Sequence, residues 1–309
     1  MGHNARHLIS LTDLADEDLV RIVRRGVDHA AGHTRSERTL TGAIVGTYFR
    51  KTSTRTRTAF TSGALRLGAQ VIPYGPDDLQ LNTGESVEDT GRVFASMLDA
   101  VVARTAGPPA ELRAMAGQRR MAVVNAMTSD EHPTQALADL TTLRGRFGDI
   151  EDLHVLYVGE GNNTAAALAL ALTRFAGARL ELRTPPGYGL DEGLLARARE
   201  TAAAHGASIE ERHDMDDRSR NVDVVYTTRW QTTGTSKPDP DWRTVFEPFR
   251  VTAALWDASP KAVFMHDLPA HRGEEVDADV LDGPASIAFT QAENKLYSAM
   301  AVLEWCLRG

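Results

Sequence analysis

Two doubly wound parallel-sheet domains of the α/β class are predicted by three features of this 309-residue sequence. Short apolar runs suited to strands fall at 43–49, 70–74, 99–103, 121–125, 153–158, 178–183, 207–211, 222–226 and 262–265. They do not alternate apolar with polar residues, as expected of parallel strands covered on both faces. Helical periodicity fills most gaps between them, so strand and helix alternate regularly along the chain. The polar stretch Phe147-Gly148-Asp149-Ile150-Glu151-Asp152 marks the best domain boundary. It predicts a first domain over 1–147 and a second over 148–290, with a last helix at 291–309 returning to the first domain.

In order, helical spacing begins at 16 to about 27 and recurs at 60–67, 86–98, 134–146, 164–176 and 191–205. After the first strand comes a polar run, Arg50-Lys51-Thr52-Ser53-Thr54-Arg55-Thr56-Arg57-Thr58. Downstream, Phe60, Ala64 and Leu67 recur at helical spacing and Gly68 ends the helix. The run therefore sits where a strand turns into a helix. The first amides of that helix lack intrahelical partners, and the helix dipole favours an anion there. Ser53, Thr54 and Thr56 add hydroxyl donors, and Arg55 a planar fork for phosphate oxygens. A capped helix with a charged face is the plainer alternative for this segment.

Composition narrows the class. With 42% hydrophobic and 25% charged residues the chain reads as a globular protein. A net charge of −8 argues against nucleic acid or an anionic membrane as a general partner, so any basic site must be local. No apolar run approaches the ~18 residues of a membrane span. The opening Met1-Gly2-His3-Asn4-Ala5-Arg6 lacks a signal region or a myristoylation pattern, and a cytoplasmic enzyme is the expectation. The single cysteine, Cys306, excludes an internal disulfide and reads as a packing residue. The ten histidines show no metal-ligand spacing, so no metal is expected.

Ligands of open α/β sheets bind beyond the carboxyl ends of the strands. Arg104 ends one predicted strand, His132-Pro133-Thr134-Gln135 opens the helix after the next, and His266 follows the last. Arg55, Arg104, His132 and Gln135 are candidates to converge on one anionic, carbonyl-bearing ligand. Each has a plainer role as well: Arg104 as an ion-paired surface residue, His132 as a helix cap, Gln135 and Asp139 as decoration of a solvated face. In the second half, Gly159-Glu160-Gly161-Asn162-Asn163 is a partial dinucleotide fingerprint without its third glycine or a ribose-binding acid. It supports only a remote reading as an NAD-dependent dehydrogenase. The two asparagine amides suit a carboxylate in a cleft between the domains.

Taken together, Ser53-Thr54-Arg55-Thr56-Arg57-Thr58, Gln80, Gly84-Glu85-Ser86 with Asp89-Thr90, Arg104-Thr105, His132-Pro133-Thr134-Gln135-Ala136-Leu137-Ala138-Asp139, Gly161-Asn162-Asn163 and Leu268-Pro269-Ala270-His271-Arg272-Gly273-Glu274-Glu275 resemble the aspartate/ornithine carbamoyltransferases. The likeness is co-linear from about His7 to Trp305 and leans to the ornithine branch. It implies a carbamoyl-phosphate domain followed by an amine-acceptor domain, a homotrimer or multiple of trimers, and no cofactor. By that resemblance Ser53, Thr54, Arg55 and Thr56 hold the phosphate, with Gln80 reaching in from a neighbouring subunit. Arg104, His132 and Gln135 hold the carbamoyl group, with Leu268 and Lys295 bordering it. Thr56, Arg104 and His132 would donate to the carbonyl oxygen as charge grows there.

The departures from the family pattern concern the acceptor. Ornithine enzymes carry an Asp, which helps hold the α-ammonium, where this chain has Thr228, and a Ser-Met-Gly turn where it has Thr232-Thr233-Gly234. The family's Cys of the H-C-L-P run is Asp267, and its late Arg is Lys295. One carboxylate is thus missing from one wall and another is expected on a different wall. Asn163, Thr228, Thr232, Thr233 and Asp267 are the candidate acceptor-binding residues, with Asp267 either binding an ammonium or taking a proton. The expected reaction carbamoylates the side-chain amine of an ornithine-like diamino acid, with 2,3-diaminopropionate in specialised metabolism as one example. An ordinary ornithine carbamoyltransferase of arginine metabolism is the alternative.

Overall fold

The computed structural model describes residues 5–34, 37–232 and 234–308. The opening residues 1–4 and the candidate acceptor residue Thr233 lie outside the described residues. The chain forms two compact units, Met1–Gly145 with Glu293–Gly309, and Arg146–Ala292.

In the first unit the elements are α1 (Asp16–Ala30), β1 (Ile44–Phe49), α2 (Arg55–Arg66), β2 (Gln70–Tyr74), α3 (Val87–Ala95), β3 (Ala100–Arg104), α4 (Pro109–Met115), β4 (Ala122–Met127) and α5 (Pro133–Phe147). The four strands are parallel in the order β2-β1-β3-β4. The inner strand β3 and the strand β4 are buried along their whole length, as their unbroken Ala/Val runs require. β2 contains Pro73, is largely exposed and lies at the sheet edge, where a missing amide does least harm. Because β2 lies on one side of β1 and β3 on the other, the strand order reverses between β1 and β3.

The second unit holds β5 (His154–Val158), α6 (Asn163–Leu172), β6 (Arg179–Arg183), α7 (Glu192–His205), β7 (Ser208–Arg212), β8 (Val224–Thr227), α8 (Trp242–Phe246), β9 (Val263–His266) and α9 (Ala278–Leu281). Its sheet is parallel in the order β7-β6-β5-β8-β9, so the order reverses between β5 and β8. Every residue of α6 is buried, in keeping with its run of alanine and leucine. The last helix, α10 (Ala288–Arg308), starts three residues before the position expected from sequence. Within the first unit its Glu304 accepts from Arg25 Nε (2.6 Å), His29 Nε2 (3.0 Å) and Thr39 Oγ1 (2.7 Å). Burial pushes the Glu304 carboxyl up, but these donors outweigh it and hold it at about 2. Among the described residues no helix is long and apolar enough to cross a membrane.

All nine expected strands are present within one or two residues. Helix α2 starts five residues earlier than its apolar spacing suggested, because its first turn is made of Arg and Thr. Helices α4, α8 and α9 were not foreseen; at seven residues or fewer they are too short to show a period.

Candidate active site

The polar turn after β1 delivers Ser53 and Thr54 to the start of α2, and Arg55 and Thr56 form its first turn. Thr54 stands at the N-cap position with helical angles (φ −76°, ψ −57°) and its side chain accepts no capping hydrogen bond. Three other helices are capped by a side chain, α3 by Ser86, α6 by Asn162 and α7 by Asp191, whereas α1, α4, α8 and α9, like α2, are not. No acidic residue occupies the first turn of α2. The capped-helix alternative therefore does not describe this segment, and its dipole end is left without a side-chain anion.

The opposite side of the switch point is built by β3 and α5. Phe49 and Arg104 are register partners at the ends of β1 and β3, so the polar turn and Arg104 leave the same edge of the sheet. Arg104 is buried, contrary to the surface ion-pair alternative, and its Nη1 lies 3.4 Å from His132 Nε2. A guanidinium only donates, so Nε2 accepts and the ring proton sits on Nδ1, 3.3 Å from Thr134 Oγ1. Burial first, then the charges of Lys295 and Arg104, hold His132 well below the usual histidine range. Its imidazole is neutral, and in this arrangement it presents an acceptor where a donor was expected.

Gln135 and Asp139 do not face solvent. Residues 133–143 of α5 are all buried, and Gln135 Nε2 donates to Asp139 Oδ1 at 2.8 Å. Lys295, from α10, donates to Gln135 Oε1. A small cavity is lined by Thr56, Phe60, His132, Thr134, Lys295 and Ala299. Lys295, a neutral imidazole and the hydroxyls of Thr56 and Thr134 line this space, and Arg104 touches the imidazole, a polar set suited to an anion with a carbonyl. Gln80 is not part of it: it is exposed, and its Oε1 accepts from Thr83 Oγ1 at 2.8 Å. Arg50 is occupied elsewhere, with Glu111 at 2.6 Å.

In the second unit the acceptor candidates gather at the carboxyl ends of β5, β8 and β9. The two positions assigned to different walls are in direct contact: Thr228 Oγ1 donates to Asp267 Oδ1 at 2.8 Å. They follow neighbouring parallel strands, which sequence distance conceals. Thr164 Oγ1 donates to the other oxygen, Oδ2, at 3.0 Å. Asn163 is buried at the start of α6, while the Asn162 amide is spent on capping that helix and on Thr232 Oγ1 at 3.0 Å. Thr232 in turn lies 3.2 Å from Glu160 Oε2. Leu268 adopts φ 55°, a backbone region costly for a leucine, and its amide is held by His266 Nδ1 at 2.8 Å. His266 is fully buried and its Nε2 faces Glu275 Oε1 at 3.1 Å, so it serves this loop rather than a ligand.

Two features escaped the sequence. Lys237 pairs with Glu160, and its Nζ lies 4.5, 5.1 and 4.7 Å from the ring centroids of Tyr188, Trp242 and Phe246. No spacing rule links residues that far apart. His271, Glu274 and Glu275 also meet within 4.8 Å, although Glu275 Oε1 already serves His266 and the His271 amide.

Two parallel α/β units, each with a polar cluster at the carboxyl edge of its sheet and one of them lined for an anion, define a two-domain, doubly wound α/β protein with ligand sites at those edges. The chain belongs to the aspartate/ornithine carbamoyltransferase family: the carbamoyl-P binding domain matches residues 6–145 and the Asp/Orn binding domain residues 151–306. It is 37% identical over 303 residues to the ornithine carbamoyltransferase of Methanothermobacter thermautotrophicus, covering 98% of this chain and 99% of the relative. Among solved structures it resembles the ornithine carbamoyltransferase of Pyrococcus furiosus with a TM-score of 0.93 at 36% identity, over 100% of this chain and 99% of that one. The Gloeobacter violaceus enzyme gives 0.86 at 34% identity, over 98% and 99%.

Proposed function

We propose that this protein transfers the carbamoyl group of carbamoyl phosphate to the side-chain amine of an ornithine-like diamino acid, giving a ureido product and phosphate. The observation that carries the reading is the cavity in the first unit, where Thr56, His132 and Lys295 meet beside Arg104 at the uncapped start of α2. Ser53, Thr54, Arg55 and the helix amides take the phosphate, whose negative charge the helix dipole favours. Arg104, Gln135 and Thr56 surround the carbamoyl group. The neutral amine attacks the carbonyl carbon, the C–O bond to phosphate breaks, and the ammonium formed gives its proton to the leaving phosphate or to solvent. Charge that grows on the carbonyl oxygen is met by donors already in place. A carbonyl oxygen arriving between Arg104 and His132 accepts from both once the imidazole carries its proton on Nε2, a tautomer change that costs no net charge.

Gln80 belongs to this scheme as a residue supplied to a neighbour's site in a homotrimer, which suits its exposure here. Lys295 bridges to the carbamoyl site through Gln135. Leu268 and Asp267 border the acceptor, with Asn163, Thr228, Thr232 and Thr233 as the remaining acceptor residues. A cytoplasmic location accords with the reaction. The test is phosphate release from carbamoyl phosphate with and without amines: release should require a diamino acid, and equal release without one would overturn the reading. Light scattering of the purified chain tests the trimer.

A further inference from the structure

Two carboxylates stand at the carboxyl edge of the second unit's sheet, Glu160 after β5 and Asp267 after β9. Their charge balance differs. Glu160 is paired with Lys237, whose side chain is 3% exposed within its three aromatic rings, so that pair is closed on itself. Asp267 is held by the hydroxyls of Thr164 and Thr228, which bring no charge. The His266 Nδ1 atom lies 3.6 Å from Asp267 Oδ1, but it accepts the Leu268 amide and so carries no proton. No lysine or arginine among the described residues pairs with Asp267. Its side chain is 14% exposed, so a negative charge is kept largely out of water without a counter-cation. Such a group is costly alone and gains when a cation arrives.

We propose that Asp267 is the anchor for the non-reacting ammonium of the acceptor, the α-ammonium of a diamino acid, with Thr164 and Thr228 as positioning residues that fix its carboxylate. The inference rests on the carbamoyl-transfer reading and adds which end of the acceptor is held. The reacting amine is the wrong occupant on physical grounds. A carboxylate within about 4 Å of an amine favours its protonated form by roughly one to three pH units, and so would deplete the nucleophile by about ten- to a thousand-fold. The same contact to the α-ammonium, which takes no part in the bond changes, carries no such penalty. The acceptor is therefore a molecule that carries a second ammonium besides the reacting amine, not a simple alkyl monoamine or an ω-amino acid.

The experiment measures binding, apart from turnover. L-Norvaline keeps the α-ammonium and lacks the side-chain amine, so it can be titrated calorimetrically in the presence of carbamoyl phosphate without consuming it; 5-aminopentanoate keeps only the ω-amine. Asp267→Asn should weaken norvaline by at least 30-fold and Thr228→Val by about 3- to 10-fold, with 5-aminopentanoate and carbamoyl phosphate changed less than threefold. Lys237→Met provides a second check, since it frees the Glu160 charge and should leave the Asp267 dependence in place. Norvaline binding unchanged in Asp267→Asn, absent from the wild type, or weakened no more than that of 5-aminopentanoate would overturn the assignment. Failure of the underlying reading shows separately, as no ureido product from any amine.

Discussion

Replacing Arg104 by Met should release the His132 imidazole toward its ordinary titration range. The guanidinium Nη1 is 3.4 Å from Nε2. A full positive charge there would oppose a protonated ring by about 5 kcal/mol at an effective dielectric of about 20, and by about 3 kcal/mol once spread over the guanidinium. Removing that charge therefore raises the His132 titration toward the ordinary histidine range. The histidine should remain below 6.5 even so, because burial and Lys295 continue to act. Titration of the ring carbons by NMR, assigned with His132→Gln, reads this directly. The sign carries over to stability. The folded chain resists protonation at His132 while the unfolded chain accepts a proton below 6.5, so stability falls as pH drops through that window, by about 1.4 kcal/mol per pH unit. Arg104→Met should shorten the window from below and leave its upper limit in place. An unchanged His132 titration in the variant would refute the account of a neutral imidazole held by neighbouring cations.

Other outcomes are expected. Arg55→Ala should weaken carbamoyl phosphate by about 10- to 100-fold in a direct binding assay, since a charge-assisted phosphate contact is worth roughly 1.5–3 kcal/mol; near-normal affinity would return α2 to a merely structural role. Glu304→Gln should destabilise the chain at neutral pH by on the order of 3 kcal/mol, because a carboxyl held at about 2 gives up that much stability only as pH falls from its unfolded value of 4.5 toward 2. Denaturant melts of wild type and variant should therefore converge in acid. Gly161→Ala should lower the melting temperature, because a Cβ there would stand 2.4 Å from the Gly189 and Leu190 backbone. A melting temperature equal to wild type would show that the 187–190 turn moves freely.

Much of the fold was legible because its strands are unbroken apolar runs and its sheets are parallel, so each strand announces itself without register information. The short helices were not, since four to seven residues cannot display a 3.6-residue period. At the site, Arg55, Arg104 and His132 could be placed by a simple rule, that residues just after parallel strands face the ligand edge. Gln135 follows from the same rule, but its partners do not: Asp139 looks like a solvated helix residue, and Lys295 arrives from α10, 160 residues away in sequence from Gln135. The meeting of Thr228 and Asp267 depends on β8 and β9 being neighbours, which follows from sheet order and not from either motif. The Lys237 cage assembles from residues 188, 237, 242 and 246, a pattern with no period to detect.

The most direct test of carbamoyl transfer is to follow 13C-labelled carbamoyl phosphate by NMR in the presence of this protein and a series of diamino acids. The label should move to a ureido carbon on the side-chain nitrogen of the acceptor, in step with phosphate release, and at limiting carbamoyl phosphate the transfer should slow by about 10- to 100-fold in Arg55→Ala. Label that passes only to bicarbonate, or that stays on phosphate with every amine, would contradict the account.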